Sequence, residues 1–107
     1  MICITTSSDS KEVLVKISKL LIDNKLSACN KITTTQSSYI WDDKYNSTKE
    51  YKLEIKTTES LEDSVIDCID RNHNYEIYEL LKYELEILNP KYKDWFYDRL
   101  NSIEKEK

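Results

Sequence analysis

The sequence predicts a single α+β domain built on the ferredoxin-like β-α-β-β-α-β plan and closed by a C-terminal helix. Three observations support this prediction. Some segments have apolar residues at helical spacing, others have the composition or alternation of strands, and the two kinds follow each other in the required order. The chain has 107 residues, which is enough for one hydrophobic core and too few for two, so residues 1–107 are expected to form one domain.

The first half of the chain predicts a strand, a helix and a second strand. Residues 2–6 are mostly β-branched, which is typical of a short strand buried on both faces. Asp9 and Glu12 have the spacing of a capping box, so a helix is expected to begin beside Asp9 and to end at Asn24. Residues 28–41 are rich in threonine, serine and isoleucine and are expected to form one long or bent strand. The predicted buried stripe of the helix consists of Val13, Leu14, Ile17, Leu20 and Leu21.

The second half predicts a hairpin partner, a second helix, a fourth strand and the closing helix. Residues 51–57 alternate between apolar and charged side chains, as do residues 81–87, and this period is typical of strands with one buried face. Thr58 is placed to cap the helix between them, and Asn89 and Pro90 separate the fourth strand from the closing helix. The predicted stripe of the second helix is Leu61, Val65, Cys68 and Ile69, and that of the closing helix is Tyr92, Trp95, Phe96, Leu100 and Ile103.

The chain contains no glycine, so other residues must take the backbone positions with positive φ. After glycine, asparagine and aspartate tolerate that region best. Left-handed turns and helix ends are therefore expected at the asparagines near the predicted boundaries, which are Asn24, Asn46, Asn72, Asn74 and Asn89.

The composition excludes some classes of partner. The net charge of −4 argues against non-specific binding of nucleic acid, because such binding needs a basic face. No apolar run approaches the roughly 20 residues of a membrane span, so no membrane partner is expected. The three cysteines are an odd number without close pairing, which fits a reducing compartment, and the lack of a CxxC pair argues against a self-contained zinc site. Because Met1 opens directly into a strand pattern, we expect a cytoplasmic protein, unless an upstream targeting segment has been removed.

The segment 71–80 is central to the predictions about function, because it holds the only histidine of the chain. His73 is accompanied there by two tyrosines and two carboxylates, at the joint between a helical pattern and a strand pattern. A neutral imidazole is a good ligand for borderline metals, and it titrates near neutral pH. The alternative interpretation is a polar loop whose aromatic side chains close the end of the core.

A series of short motifs, in order and without a gap between residues 39 and 96, resembles the signatures of the CutA family of divalent-cation tolerance proteins. Each motif is weak alone, but their order and spacing are specific. Upstream, the segment that ends at Cys29 resembles the leucine–small–alanine–cysteine segment of the family. The motifs are Tyr39-Ile40-Trp41, Ile55-Lys56-Thr57, His73-Asn74-Tyr75-Glu76, Glu79-Leu80 and Asn89-Pro90-Lys91-Tyr92-Lys93-Asp94-Trp95.

The resemblance implies a ferredoxin-like protomer in a tight homotrimer, with neighbouring sheets joined edge to edge. It also implies a role in the tolerance of copper or another divalent metal, without a settled cofactor. Asn74 stands where the family usually has proline, so a less stiff loop is expected beside His73. By resemblance, the candidate metal ligands are Cys29, His73 and Glu76, and the candidate walls of a binding cleft are Trp41, Lys56 and Tyr75.

Each of these residues also has a structural interpretation. Cys29 is equally typical of a packed strand thiol, unless a nearby cation such as Lys56 favours its thiolate. Cys29 and His73 suit copper or zinc by ligand softness. One of each does not complete a coordination shell, so Glu76, water or another subunit must contribute. Trp41, like Tyr75 on the central segment, is also typical of an aromatic residue at an interface or in a core.

Three classes of function follow. The leading class is a trimeric metal-responsive protein that binds divalent or cuprous ions weakly near His73. The second is a sensor of a small anion held by Lys56 and Arg71, although the chain has no glycine-rich phosphate loop. The third is a structural trimer that scaffolds other proteins. The spacing of the polar residues along the sequence indicates no pair of a nucleophile and a general base, so no enzymatic activity is expected.

Overall fold

A computed structural model describes residues 1–100 of the protein, which form a four-stranded antiparallel sheet and three α-helices. The elements follow the predicted β-α-β-β-α-β order with a helix at the end, so the predicted α+β plan is confirmed. No helix within these residues is both long and apolar enough to cross a lipid bilayer. The elements are β1 Ile2–Ser8, α1 Lys11–Asp23, β2 Cys29–Trp41, β3 Lys44–Thr57, a 3-10 helix Glu59–Leu61, α2 Glu62–Asn72, β4 Leu80–Glu84 and α3 Pro90–Leu100.

The sheet places β3 and β1 at its centre and leaves β2 and β4 at its edges. The strand order is β2-β3-β1-β4, and every neighbouring pair is antiparallel. The two strands that α1 connects are separated by β3, and the two that α2 connects are separated by β1. This is the interleaved arrangement of two βαβ units that defines the ferredoxin-like plan.

The hydrophobic core lies between the sheet and the helices α1 and α2. In β3 the alternation predicted from the sequence is confirmed, since Leu53, Ile55 and Thr57 are buried. Burial of each aliphatic side chain contributes roughly 1.5–3 kcal/mol relative to its exposed state, so this cluster is the main source of stability of the protomer. Its buried members are Ile2, Ile4, Leu14, Ile17, Leu21, Leu53, Ile55, Val65 and Ile69.

A second, smaller cluster forms where α3 packs beside the start of β2. Leu61 packs against this cluster, whereas the sequence predicted it on the inner stripe of α2 with Val65. The predicted face of α3 is partly wrong, because Trp95 is 47% exposed and Tyr97 is buried instead. Ile103, which was predicted on the same face, lies outside the described residues. The buried members of the second cluster are Ala28, Phe96, Tyr97 and Leu100.

The N-cap of α1 is Ser10. The sequence predicted Asp9 for this role, so that prediction is wrong. The Ser10 Oγ accepts a hydrogen bond from the backbone N–H of Val13 at 3.2 Å. The Asp9 carboxylate accepts a hydrogen bond from Nδ2 of Asn74 at 3.0 Å instead. The predicted end of the helix is confirmed, since Asn24 is its C-cap.

Positive φ angles occur within residues 1–100 at Lys25, Asp42 and Asp43, with values of 55°, 53° and 59°. None of the named asparagines takes such a position, but two of the three residues are aspartates, the other type that the sequence allowed there. Asp42 and Asp43 join β2 to β3 as a two-residue turn, and positive φ at both positions matches the right-handed twist of the strands. Lysine is less suited to this region than aspartate, so a chain without glycine stores some local strain at Lys25.

The β2–β3 hairpin is the longest feature of the fold. Its strands pair from Trp41 and Lys44 beside the turn down to Cys29 and Lys56. Most side chains of residues 33–49 are exposed, because this part of the hairpin extends beyond the helices. The described chain accordingly measures 50 × 26 × 19 Å. β3 thus begins well before residue 51, and β1 extends to Ser8, past its predicted end.

The substitution Ile17→Ala should lower the free energy of unfolding by about 2–5 kcal/mol, because it removes a fully buried side chain and leaves a cavity. Val15→Ala on the same helix should change it by less than about 1 kcal/mol, since Val15 is 48% exposed. Urea titrations followed by circular dichroism measure both values. Similar losses in the two variants would show that the buried face of α1 is assigned wrongly.

Candidate functional site

A groove of about 810 Å³ lies between the β2–β3 hairpin and residues 75–79, the segment before β4. We call it the acidic groove, because within residues 1–100 no lysine, arginine or histidine belongs to its lining. Hydroxyl groups contribute as well, among them that of Ser7 at the end of β1. Its aromatic residues are Tyr39, Trp41, Tyr75 and Tyr78, and its carboxylates are those of Asp9, Glu50, Glu76 and Glu79.

His73 packs against two aromatic residues of the acidic groove. It is the C-cap of α2, and its ring stacks on that of Tyr78 with the centroids 4.4 Å apart. Its Nδ1 accepts a hydrogen bond from the backbone N–H of Tyr75 at 3.0 Å, so Nε2 carries the proton and donates to the carbonyl oxygen of Ser7 at 3.0 Å. Burial lowers the pKa of His73, which favours the neutral ring. A metal ion would have to replace one of these two hydrogen bonds.

Tyr75 connects the segment 75–79 to the end of β1 and to β3. Its hydroxyl donates a hydrogen bond to Oε2 of Glu50 at 2.7 Å and accepts one from the backbone N–H of Asp9 at 2.8 Å. Burial and the hydrogen bond to Glu50 raise the pKa of Tyr75, so the phenol keeps its proton at neutral pH. Tyr75 therefore holds one wall of the groove against the other.

Asn74 fixes the same segment through its side chain. Its Oδ1 accepts a hydrogen bond from the Ser8 hydroxyl at 2.6 Å, and its Nδ2 donates to the Asp9 carboxylate at 3.0 Å. The sequence predicted a less stiff loop here, because the family that the chain resembles usually has proline at the position of Asn74. Two side-chain hydrogen bonds restrict the loop instead, and they connect it to the chain between β1 and α1.

The structure brings three of the predicted site residues together. Trp41, Tyr75 and Glu76 all line the acidic groove. Lys56 lies elsewhere on the sheet, with its ammonium group 3.5 Å from the carboxylate of Glu54 and its side chain only 16% exposed. This ion pair gives Lys56 a structural partner, and Lys56 does not line the acidic groove.

Cys29 and His73 are not neighbours within the protomer. Cys29 lies opposite Lys56, which lies opposite Cys3 on β1. His73 meets β1 at Ser7, four residues further on, which corresponds to about 13 Å along a strand. Within residues 1–100, no group of three or more His, Cys, Asp or Glu side chains is arranged to hold a metal ion. A metal site shared by Cys29 and His73 would therefore have to form between two subunits. It stays a prediction.

Sequence reasoning missed Glu50 as a residue of the groove. The strand period carried the relevant signal, because the residues that alternate with the buried Leu53 and Ile55 include Glu50. A two-residue turn at Asp42 would also have given its cross-strand partner, Thr35. Nothing in the sequence indicates that Tyr75 reaches this carboxylate, since the two residues are 25 positions apart.

The fold and the groove together define a ferredoxin-like protein with an acidic and aromatic groove at one edge. The profile of the family described as CutA1 divalent ion tolerance protein matches residues 1–99. The chain belongs to this family, as the motifs of the sequence predicted.

Relatives from plants, animals and archaea support the assignment. "Protein CutA 1, chloroplastic" of Oryza sativa is 33% identical over 87 residues, which are 80% of this chain and 49% of the relative. "Divalent-cation tolerance protein CutA" of Pyrococcus horikoshii is 26% identical over 95 residues, with 89% and 93% coverage. The chain thus spans about half the length of the plant and animal relatives that it matches and nearly all of the archaeal one.

Solved structures of family members have the same fold. The crystal structure of CutA1 from Oryza sativa superposes with a TM-score of 0.85 at 30% identity, covering 92% of this chain and 91% of that one. A crystal structure of CutA1 from Pyrococcus horikoshii gives a TM-score of 0.86 at 25% identity, with 92% and 97% coverage. The predicted fold class is therefore confirmed for the protomer.

The free energy of unfolding should fall as the pH drops from about 7.5 to about 5. Burial lowers the pKa of His73 in the folded protein, so the unfolded chain takes up a proton first, near its ordinary value of about 6.5. Proton uptake then favours unfolding. The contribution of the neutral ring is complete above that pH and is lost as the pH falls through the folded pKa.

Urea titrations at several pH values in metal-free buffer measure this dependence. His73→Gln removes the titrating group, so its stability should change less with pH across the same window. Parallel curves for the two proteins would show that His73 is not the group responsible.

Proposed function

We propose that the protein is a homotrimeric divalent-cation tolerance protein that binds divalent ions weakly at the acidic groove. The observation that carries this proposal is the charge of the groove, whose ionic side chains within residues 1–100 are all carboxylates. Glu76 and Glu79 are exposed there and are suited to make the first contacts with an ion. Water would complete the shell, and a shell with few protein ligands accounts for weak binding.

The proposed trimer is supported by the apolar surface that the protomer leaves exposed. On β4, an edge strand, Leu81, Tyr83 and Leu85 are 43%, 49% and 41% exposed. At the tip of the hairpin, Ile40 and Tyr45 are each 66% exposed. Unpaired edges and apolar patches of this kind are usually covered in a stable assembly. A subunit interface between an edge and a hairpin would cover both.

The alternative of a small-anion sensor has less support. Lys56 is paired with Glu54, and Arg71 is paired with Asp67 at 3.0 Å. Neither cation belongs to the lining of the acidic groove, whose charge would repel an anion. We also retain a cytoplasmic location as a proposal, because the three cysteines are free thiols and this suits a reducing compartment.

Sedimentation equilibrium at micromolar concentration should return three times the protomer mass. Tyr83→Glu places a charge on the exposed edge strand and should shift the protein to smaller species. Val15→Glu is the matched control, because Val15 is similarly exposed but lies on α1. A monomer mass for the unchanged protein would contradict the trimer, and equal effects of the two substitutions would contradict the proposed edge.

Titration calorimetry of copper and zinc ions into the metal-free protein tests the metal site. The double substitution Glu76→Gln and Glu79→Gln should weaken binding at least about tenfold, because each exposed carboxylate contributes roughly 1–4 kcal/mol toward a nearby unit charge. Glu59→Gln is the control, since Glu59 is exposed but lies outside the groove. Unchanged binding after the double substitution would exclude the groove as the metal site.

The pair Cys29→Ala and His73→Ala tests the other candidate site with the same titration. If one ion is shared by both residues across a subunit boundary, the double variant should bind hardly more weakly than either single variant. Additive losses would indicate two independent sites, and the absence of any loss would exclude both residues.

A further inference from the structure

We propose that the acidic groove binds an aliphatic di- or polyamine, with Glu50 as the ionic partner of one ammonium group and Trp41 as an aromatic wall. This proposal rests on the proposed function only in that it uses the same groove. Its main ionic contact, Glu50, differs from Glu76 and Glu79, the proposed first contacts of a metal ion.

The first argument is the environment of Glu50. This carboxylate is only 9% exposed and lines the groove, and its one hydrogen bond within residues 1–100 comes from the neutral hydroxyl of Tyr75. No lysine or arginine of this part of the chain forms an ion pair with it. Even the adjacent Lys49 points away, with its ammonium group 5.5 Å from the ring centre of Tyr51.

A buried carboxylate without a cation is costly, and proteins seldom retain one unless something pairs with it. The hydrogen bond from Tyr75 uses Oε2 of Glu50, so Oε1 is left to accept another donor. Because Glu50 faces the groove, a donor that carries positive charge can reach it from there. The structure therefore indicates a cationic ligand at this position.

The second argument is the aromatic lining, which selects among cations. Tyr39 and Trp41 belong to the groove wall on the hairpin, and Tyr75 and Tyr78 to the wall opposite. Aromatic faces attract ammonium groups and also pack against methylene chains. A small hydrated metal ion gains little from such walls, whereas an alkyl ammonium compound gains from both contacts.

The third argument is size and charge. A volume of about 810 Å³ falls within the range of roughly 300–1,000 Å³ that is typical of sites for small organic ligands. The carboxylates of Asp9, Glu76 and Glu79 share the groove with that of Glu50. Several carboxylates around one cavity favour a ligand with more than one positive charge, and the serine hydroxyls of the lining can accept hydrogen bonds from its remaining N–H groups.

Spermidine is the probe for the test, titrated into the metal-free full-length protein by calorimetry at fixed ionic strength. We expect saturable binding. Glu50→Gln should weaken it at least about tenfold, since the amide keeps the shape and still accepts the hydrogen bond from Tyr75. Trp41→Leu should also weaken it, because the substitution removes an aromatic wall of the groove, and at 58% exposure the side chain adds little to the core of the protomer.

Glu54→Gln is the matched control, because Glu54 lies on the same strand and face as Glu50 but outside the groove. It should bind spermidine as the unchanged protein does. Equal losses for Glu50→Gln and Glu54→Gln would overturn the proposal, because they would indicate general charge attraction. Absence of spermidine binding would overturn it too, and copper or zinc binding that persists in that case would leave the proposed function intact.

Discussion

The groove depends on one interaction, the hydrogen bond between the Tyr75 hydroxyl and the buried carboxylate of Glu50. It joins the two walls directly, because Tyr75 belongs to the segment before β4 and Glu50 to the hairpin. The other contacts of the segment prepare this one. His73 and Asn74 form hydrogen bonds with the end of β1. These contacts fix the position of the neighbouring Tyr75 relative to the sheet. Without them the hydrogen bond would have to order the whole loop, at a cost in conformational entropy.

Much of the fold could be predicted from the sequence, because the determining signals are periodic. The alternation of Leu53 and Ile55 with charged residues fixes the buried face of β3, and the spacing of Leu14 and Ile17 fixes that of α1. Caps are harder to predict, since several polar residues compete for the same role. Ser10 is the cap because the Asp9 carboxylate is held by a residue 65 positions away, and no local pattern carries that information.

The candidate site residues were named from the family motifs, and the structure brings three of them to one groove. Trp41, Tyr75 and Glu76 are adjacent in the fold because the hairpin and the segment before β4 meet at one edge of the molecule. Lys56 was assigned to the same cleft by motif alone, but strand register fixes its position beside Cys3 and Cys29. Lys56 does not line the acidic groove, and any role of Lys56 in binding stays a prediction.

Assembly and binding are linked in the proposed mechanism. One wall of the groove lies on the part of the hairpin that extends beyond the helices, where Ile40 and Tyr45 are each 66% exposed. Such an extension has little core to hold it in the isolated protomer. A neighbouring subunit that covers the tip of the hairpin would restrict the motion of the hairpin. Ligand binding would then cause a smaller loss of conformational entropy. By the reciprocity of linked equilibria, a ligand that joins the two walls would in turn favour the assembled state over the protomer.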